Sequence, residues 1–356
     1  MSVTIRDVAR KARVSVATVS RVLNGKGPVL DTTRSRVQST IESLGYVPHG
    51  AARSLITRRT NTIGVLLPDI YGEFFSELIR GIDAAVRRAG YHLLVSGSHG
   101  ERGEAGAVLR AMRGRVDGLV VLSPDLSPPG LRASIPDTVP VVLLDSPSNS
   151  KAAGGFDLIN IDNYNGAFTM ARHLHSLGHV RIAFVRGPAP NVDADERLRG
   201  YRDALAALHL RHEDELELPG NFREDGGYSA GQRIARMAHA PTAIFAANDA
   251  MAIGCLAALR DAGRSVPKEF ALAGFDDIPI ARFTAPPLTS VRVSIAELGG
   301  SAAERVLHGI RHENRHKRLH LTLPTALVVR ESCGAAPTSH ANRERLNGTN
   351  GRRMDG

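Results

Sequence analysis

The segment Ser15-Val-Ala-Thr-Val-Ser-Arg-Val-Leu-Asn24 places hydrogen-bonding and apolar side chains on different faces of one helix. Val19, Val22 and Leu23 recur at helical spacing, so they can pack against a neighbouring helix. The outward face carries small, hydroxyl and guanidinium groups, which can contact base edges and phosphates. A helix that presents its N-terminal residues in this way is typical of DNA readers that bind the major groove.

An earlier helix is predicted immediately before this segment. Thr4 and Asp7 resemble a capping box that begins a helix over about 5–12, because the residues after them carry apolar groups at helical spacing. Ser15 is a suitable N-cap for the second helix over about 16–23. The two helices must cross sharply, since only two residues separate them.

A third helix is predicted over about 31–44, with Gly45 as its end. Val37, Ile41 and Leu44 are spaced to close a three-helix core. The sequence therefore predicts a helix-turn-helix headpiece, and a small helical bundle without nucleic acid is the alternative.

The distribution of charge favours nucleic acid. Residues 1–60 hold eleven basic residues against three acidic ones, so +8 of the chain's net charge of +9 lies in its first sixth. A basic module on a nearly neutral body is typical of phosphate binding. Double-stranded DNA is the expected partner.

Length and composition predict a globular protein of two or three domains. The chain has 356 residues, of which 42% are hydrophobic, and it lacks an apolar run long enough to cross a bilayer. The polar N-terminus gives no sign of a signal sequence, so no membrane contact and a cytoplasmic location are expected. Cys255 and Cys333 fit a reducing compartment and are expected to be packed small residues.

After residue 60 the pattern becomes an alternation of strands and helices. Ile63-Gly-Val-Leu-Leu-Pro-Asp69 predicts a buried strand, and an amphipathic helix follows over about 73–89. Further strands are predicted at 91–96, 117–122, 140–145, 157–162, 181–185, 242–246 and 269–274. Further helices are predicted at 102–113, 164–177, 194–208, 226–238, 248–262 and 295–310. This alternation favours an α/β fold with parallel sheets covered on both faces. Ligands in such sheets bind beyond the C-terminal strand ends, here after Pro68, Leu144, Arg186, Ala246 and Phe275.

The order of motifs resembles the LacI/GalR family of bacterial transcription regulators, from Thr4 to about Ser332. The matching pieces are Thr4-Ile-Arg-Asp-Val-Ala, Val14-Ser-Val-Ala-Thr-Val-Ser-Arg-Val-Leu-Asn24, Gly45-Tyr-Val-Pro48, Ala52-Arg-Ser-Leu55, Ile63-Gly-Val-Leu, Phe74-Phe-Ser-Glu-Leu-Ile-Arg-Gly-Ile82, His173-Leu-His-Ser-Leu-Gly-His179, Arg197-Leu-Arg-Gly-Tyr201, Ala247-Asn-Asp-Ala-Met-Ala252, Gly274-Phe-Asp-Asp277 and Pro287-Leu-Thr-Ser-Val291.

The resemblance implies a headpiece, a hinge and a two-lobed core of the periplasmic-binding-protein type with doubly wound parallel sheets. The expected parts are a helix-turn-helix headpiece at 1–48, a hinge at 49–60, a ligand-binding and dimerisation core at 61–332, and a disordered tail at 333–356. Within the core, the N-terminal lobe is expected at about 61–161 and 292–322, and the C-terminal lobe at about 162–291 and 323–332. The tail lacks a leucine heptad, so a homodimer and a near-palindromic operator are expected.

The hinge is shorter than an isolated helix needs, so it should order only on docking. The resemblance implies that the hinge folds in the minor groove of DNA. There, Leu55 matches the leucine that wedges between base pairs, and Ala52 is a further expected contact. The alternative is a linker whose Leu55 packs on the core.

The resemblance also assigns roles in the headpiece. Val16 and Ala17 match the pair that sets operator preference, and they can offer only apolar contact, so polar base readout falls to Arg21. The other expected DNA contacts are polar residues that position without specifying: Thr4, Ser15, Thr18, Ser20 and Asn24. Each also has a structural alternative within its helix.

Two residues depart from the family pattern. Arg13 stands where a Gly is usual, at a turn that favours positive φ, which costs roughly 1 kcal/mol. Leu30 stands where a Ser is usual, so Asp31 or Thr32 is expected to cap the third helix.

The expected effector site comprises two aromatic walls and four polar groups: Phe74, Phe75, Asp145, Arg197, Asn248 and Asp276. Aromatic faces can cover the C–H surface of a sugar while carboxylates, Arg and Asn bind its hydroxyls, so a sugar or sugar derivative is expected. Nucleosides, purines and phosphorylated compounds are alternatives. Arg197 could instead pair with an acidic ligand, Asp193 or Asp195, and Asn248 with Asp249 could simply cap a helix.

An enzyme is not expected, because Gly-x-Ser-x-Gly, Gly-x4-Gly-Lys and His-Glu-x-x-His motifs do not occur. No catalytic residue, metal or cofactor is therefore predicted. His312, His316 and His320 lie four apart, but their strongly basic surroundings favour a solvated loop over a metal site. The sequence leaves three hypotheses: a ligand-responsive repressor of sugar-utilisation genes, a sugar-binding protein without a DNA role, and a regulator that responds to a protein partner or to no ligand.

Overall fold

A computed structural model describes residues 3–25, 27–46, 59–99, 103–122, 128–136, 138–144, 155–312 and 317–335. The chain separates into two compact units, residues 1–60 and residues 61–356. The expected hinge helix with Ala52 and Leu55, the candidate Asp145 and the tail from residue 336 lie outside the described residues.

The described residues of the first unit form three helices, α1 (Ile5–Ala12), α2 (Val16–Asn24) and α3 (Asp31–Leu44). Val8, Val19 and Val37, one from each helix, are fully buried against one another. Because these are apolar positions at helical spacing, the predicted three-helix core is confirmed. Arg13, between α1 and α2, adopts the expected positive φ of 53°.

Helix α3 spans the predicted residues, but the prediction for its N-cap was wrong. Leu30, and neither Asp31 nor Thr32, occupies the N-cap position, and no side chain caps the helix there. The backbone carbonyl of Leu30 already accepts hydrogen bonds from the N–H groups of Thr33 and Arg34, so the helix begins without a polar cap. Gly45 ends α3 in the left-handed conformation, as predicted.

The first sheet of the second unit forms the centre of the N-terminal lobe. Its six strands lie in the order β11-β5-β4-β3-β1-β2 and all its pairings are parallel. The strands are β1 (Thr62–Leu67), β2 (His92–Gly97), β3 (Gly118–Leu122), β4 (Val141–Leu144), β5 (Asp157–Ile161) and β11 (His320–Leu323). The helices of this lobe are α4 (Glu73–Arg88), α5 (Glu104–Met112), α6 (Pro128–Ser134) and α11 (Ile295–Arg311).

Helices cover both faces of this sheet. Successive side chains of a strand point to opposite faces, and β1 shows the consequence. Val65 belongs to the apolar cluster that includes Leu78 of α4, whereas Leu66 belongs to the cluster that includes Leu109 of α5. The sheet is therefore doubly wound, as predicted.

The second sheet forms the centre of the C-terminal lobe. Its strands lie in the order β12-β10-β9-β8-β6-β7, and only the edge strand β12 is antiparallel. They are β6 (Ile182–Val185), β7 (Glu217–Leu218), β8 (Ala243–Ala246), β9 (Ala271–Asp276), β10 (Thr289–Arg292) and β12 (Ala326–Val328). The helices of this lobe are α7 (Asn163–Ser176), α8 (Val192–Ala207), α9 (Glu224–Ala235) and α10 (Asp249–Asp261).

Two glycines allow α9 and α10 to approach closely. A Cβ atom at Gly227 would collide with the carbonyl of Met251, and one at Gly254 would collide with the carbonyl of Glu224. The helices therefore pack backbone against backbone, which brings both of their N-termini to the same edge of the sheet.

Candidate functional site

Ser15 fixes the start of the expected recognition helix. Its hydroxyl accepts a hydrogen bond of 3.1 Å from the backbone N–H of Thr18. The hydroxyls of the two residues lie 2.9 Å apart and also share a hydrogen bond. Ser15 thus has the capping role that was the structural alternative, and its contact with DNA stays a prediction.

The outward face of α2 is open to solvent. Val16 is 42% exposed, and Ala17 and Arg21 are exposed as well. Thr18 and Ser20 are half-buried. On α1, Thr4 is exposed and its hydroxyl donates a 2.6 Å hydrogen bond to Asp7. The side chain of Asn24 lies outside the described residues.

The second unit contains a cavity of about 690 Å³ between its two lobes. Its walls come from segments that follow the C-terminal ends of strands in both lobes, as expected for doubly wound sheets. The described candidates all line it: Phe74, Phe75, Arg197, Asn248 and Asp276. The structure therefore brings together five of the six predicted effector residues, and Asp145 lies outside the described part of the chain.

Aromatic rings form the apolar part of the wall. The rings of Phe74 and Phe75 meet edge to face with centroids 5.5 Å apart. Phe222 also lines the cavity, and its ring centroid lies 5.6 Å from the guanidinium carbon of Arg197. Sequence reasoning missed Phe222, because it follows an edge strand of only two residues, β7, that has no clear pattern.

Arg197 forms the centre of a buried polar network. Its Nε donates to Asn163 Oδ1 at 2.7 Å and its Nη1 donates to the carbonyl of Ala247 at 2.5 Å. Its Nη2 lies 3.1 Å from Asp276 Oδ1, and the plane of Phe275 lies below, with the guanidinium carbon 3.8 Å from the ring centroid. Only 3% of Arg197 is exposed.

The ion pair of Arg197 with Asp276 was not among the sequence-based alternatives. Asp193 accepts a 2.6 Å hydrogen bond from Asn163, which in turn binds Arg197. Asp195 is exposed. The ion pair with Asp276 forms because β9 ends beside α8, a proximity that helical spacing cannot indicate.

Asp276 is buried and incompletely satisfied. Burial raises the pKa of its carboxyl to about 6; the Arg197 guanidinium opposes this shift and the Asp193 carboxylate adds to it. Although Oδ1 lies within ion-pair distance of Arg197, no aligned hydrogen bond reaches it among the described residues. A donor in the cavity, such as a hydroxyl group, could fill that position.

Both polar atoms of the Asn248 side chain bind backbone groups of the protein. Its Oδ1 caps α10 by accepting from the N–H of Met251 at 3.0 Å, and its Nδ2 donates to the carbonyl of Phe222 at 2.9 Å. The neighbouring Asp249 is fully buried and accepts from Ser290 and from the N–H of Ile278. Burial raises the pKa of Asp249 well above its ordinary value. Capping, the structural alternative, is therefore realised at Asn248.

Three contacts between described residues join the lobes across the mouth of the cavity, and we call them the cross-cleft contacts. The carboxylate of Asp69 lies 3.3 Å from Arg223, and the hydroxyl of Tyr71 donates to Glu224 at 3.5 Å. The N–H of Ile280 donates to Glu73 at 2.9 Å. Sequence reasoning marked the loop after Pro68 but named none of these pairs.

Comparison with known proteins assigns this architecture. Residues 4–49 match the model of bacterial regulatory proteins of the lacI family, and residues 171–333 match that of a periplasmic binding protein-like domain. The ribose operon repressor of Escherichia coli K12 is 36% identical over 90% of this chain and 97% of its own length.

The chain belongs to the lacI family. Among solved lacI-family structures, the lac repressor dimer bound to operator and the anti-inducer ONPF has a TM-score of 0.82 and 27% identity, covering 94% of this chain and all of that one. A family member from Enterococcus faecium with bound ribose has a TM-score of 0.69 and 29% identity, covering 76% of this chain and 98% of that one. The predicted family and fold class are confirmed.

Two negative findings apply to the described part of the chain. None of its helices is long and apolar enough to cross a membrane. Its His, Cys, Asp and Glu residues form no cluster of three or more that could hold a metal ion. His316, one of the three spaced histidines, is not among the described residues.

Proposed function

We propose that this lacI-family protein is a sequence-specific DNA-binding transcription regulator, a repressor of sugar-utilisation genes whose operator affinity is set by a sugar in the cleft. The observation that carries the effector part is the cleft itself, where Phe74 and Phe75 line the same cavity as the buried Arg197–Asp276 pair. Acting on DNA, the protein would work in the cytoplasm and would catalyse no reaction.

The composition of the cleft suits a sugar. Its volume of about 690 Å³ lies within the ordinary range for small-molecule sites, which is about 300–1,000 Å³. The edge-to-face Phe pair offers apolar surface for the C–H groups of a sugar ring. Among the described residues no aligned donor reaches the buried Oδ1 atom of Asp276, and a sugar hydroxyl can supply one.

The position of the cleft supports an allosteric role. Because its walls belong to both lobes, a ligand there contacts both and changes the balance between closed and open arrangements. In the homodimer that we propose, this balance would set the spacing of two headpieces on a near-palindromic operator. The lac repressor dimer on operator is the solved precedent for such an assembly.

In the DNA-reading part, we assign apolar base contacts to Val16 and Ala17 and polar base readout to Arg21, all three of which are exposed. Thr4, Ser15, Thr18, Ser20 and Asn24 would position the helix on phosphates, while Ala52 and Leu55 would act in the minor groove.

The DNA assignment is tested by Leu55→Ala. Because a wedge acts only where the operator bends, this change should weaken binding to the operator more than binding to random DNA of equal length. Ile56→Ala, the next residue in the hinge, is the matched control and should leave the ratio of the two affinities closer to its original value. Equal loss on both DNAs for Leu55→Ala would refute the division of labour.

The effector assignment is tested by a thermal-shift screen of sugars with purines and nucleosides beside them. A ligand at 100 times its Kd should stabilise the core by roughly 2.7 kcal/mol. A hit must also change operator affinity in a shift assay. A response to a purine alone, or no response to any compound, would overturn the sugar effector, and the absence of any specific site in neighbouring promoters would overturn the DNA role.

A further inference from the structure

The charged groups that line the cleft are mostly acidic. Among the described lining residues, two arginines, Arg197 and Arg223, face five carboxylates. The carboxylates are Asp69, Glu73, Asp193, Glu224 and Asp276. Within this part of the cleft, negative charge thus exceeds positive charge by three.

The two arginines are already engaged with the protein. Arg197 binds Asn163, the carbonyl of Ala247 and Asp276. Arg223 pairs with Asp69 across the mouth of the cleft, and its guanidinium carbon lies 4.8 Å from the ring centroid of Tyr71. An anionic ligand would have to compete with these contacts to obtain a cation.

The helix N-termini at the cleft are also occupied by groups of the protein itself. Four helices, α4, α8, α9 and α10, contribute residues of their first turn or N-cap to the lining. The partial positive charge of such an N-terminus is what normally attracts phosphate. Here three of the four, α4, α8 and α9, carry a carboxylate of their own in the first turn that lines the cavity: Glu73, Asp193 and Glu224. Asn191 and Asn248 moreover cap α8 and α10, each accepting from a first-turn N–H.

We infer, on the basis of the proposed function of the cleft, that its effector is an uncharged polyol that carries neither phosphate nor carboxylate. A phosphate dianion would bring two further negative charges beside five carboxylates, in a partly dehydrated space where repulsion is poorly screened. Neutral hydroxyls instead donate to carboxylates, and the Oδ1 atom of Asp276, which no aligned donor among the described residues reaches, can accept such a bond.

The inference is tested by calorimetry on the full chain with matched pairs: ribose and ribose 5-phosphate, glucose and glucose 6-phosphate, galactose and galactose 1-phosphate. In any pair that binds, the free sugar should bind at least about tenfold more tightly than its ester, equivalent to about 1.4 kcal/mol. The ratio should shrink between 50 mM and 500 mM salt, because salt screens charge repulsion.

The two ways of failing are distinct. An ester that binds as tightly as its parent sugar, or more tightly, overturns the uncharged effector and leaves a sugar-type cleft in place. Silence of the whole panel overturns the proposed sugar site and the uncharged effector with it.

A charge-neutral variant identifies the cause of the discrimination. Asp193→Asn keeps an oxygen to accept from Asn163 but removes one negative charge from the wall. It should reduce the penalty on the ester about threefold, read as the ratio of the two affinities, so that any general loss of binding cancels. Glu196→Gln, on the same helix but outside the cavity lining, is the control and should leave the ratio unchanged. An unchanged ratio in Asp193→Asn would overturn exclusion by the carboxylates.

Discussion

The replacement Arg197→Met tests whether the buried polar network stabilises the core. The change keeps much of the apolar length of the side chain but removes the guanidinium that pairs with Asp276. It also removes the donor to Asn163 and to the carbonyl of Ala247. Since only 3% of Arg197 is exposed, water cannot replace these contacts freely.

The size of the effect depends on pH. Breaking a buried ion pair by removing one partner costs about 3–5 kcal/mol when the remaining group stays charged. The folded-state pKa of Asp276, about 6, lies above its ordinary value of 3.8. The stability that the neutral carboxyl contributes is therefore full below about pH 4 and is lost as the pH rises through 6.

Without Arg197 that pKa should rise further, because the cation that opposes the shift is gone. At pH 5 most Asp276 is then neutral in both proteins, and the cost should fall to that of the lost hydrogen bonds, about 1–3 kcal/mol. At pH 8 it should approach the full 3–5 kcal/mol, again as an order of magnitude.

The assay is urea unfolding of the full chain followed by circular dichroism at pH 5 and pH 8, since the chain has no Trp to report by fluorescence. Arg199→Met is the matched control: Arg199 lies on the same helix with a 56% exposed side chain paired to Glu196, and its loss should cost less than about 1 kcal/mol. The double variant Arg197→Met with Asp276→Asn should regain part of the pH 8 stability. Equal destabilisation by the two Met variants, or an Arg197→Met deficit that is the same at both pH values, would refute the reasoning.

Three further predictions concern binding and the headpiece. Only the ionised Asp276 can accept a hydrogen bond without donating one, so sugar affinity should fall about tenfold between pH 7 and pH 5, as expected for a pKa of about 6. Calorimetry measures the affinity, and a profile that is flat with pH contradicts the role of Asp276 as an acceptor for the sugar. Arg223→Ala removes the exposed ion pair with Asp69 and should weaken sugar binding about two- to fivefold through faster dissociation. Stopped-flow kinetics measure the dissociation rate. The double variant with Asp69→Asn should dissociate no faster than Arg223→Ala alone, and faster dissociation would show that the two residues act separately. Ser15→Ala removes the cap of α2 and should lower local stability by about 1 kcal/mol, whereas Ser15→Asp should retain it; hydrogen exchange at the Thr18 amide reports both, and undiminished protection in Ser15→Ala would show that the cap is dispensable.

Regular elements were predictable where their apolar spacing is unambiguous. The strand β1 follows from a short apolar run that ends in turn residues, and the helices α1 and α4 follow from apolar positions at a period of 3.6 residues. The strands β10 and β12 were not predicted, because they have four and three residues and lie among prolines and polar groups. The cap of α3 was misjudged since a polar side chain nearby was taken as necessary, whereas the carbonyl of Leu30 suffices.

The candidate site was predictable as a set of residues but not as a set of contacts. Phe74, Arg197 and Asp276 could be named because they match a family pattern, and all three line the cavity. Their partners depend on which strand ends lie beside which helices. The cross-cleft contacts depend further on how one lobe faces the other, which no local spacing encodes.

Asn248 shows that capping a helix and lining the ligand cavity do not exclude each other in this fold. The cleft is built from helix N-termini, so a residue that caps one of them also borders the cavity. Asn248 fixes α10 with its Oδ1 and holds the carbonyl of Phe222 with its Nδ2, which places the ring of Phe222 in the wall. The same side chain therefore stabilises a helix and shapes the cavity, and a ligand that displaced Phe222 would strain the N-terminus of α10 through a single amide.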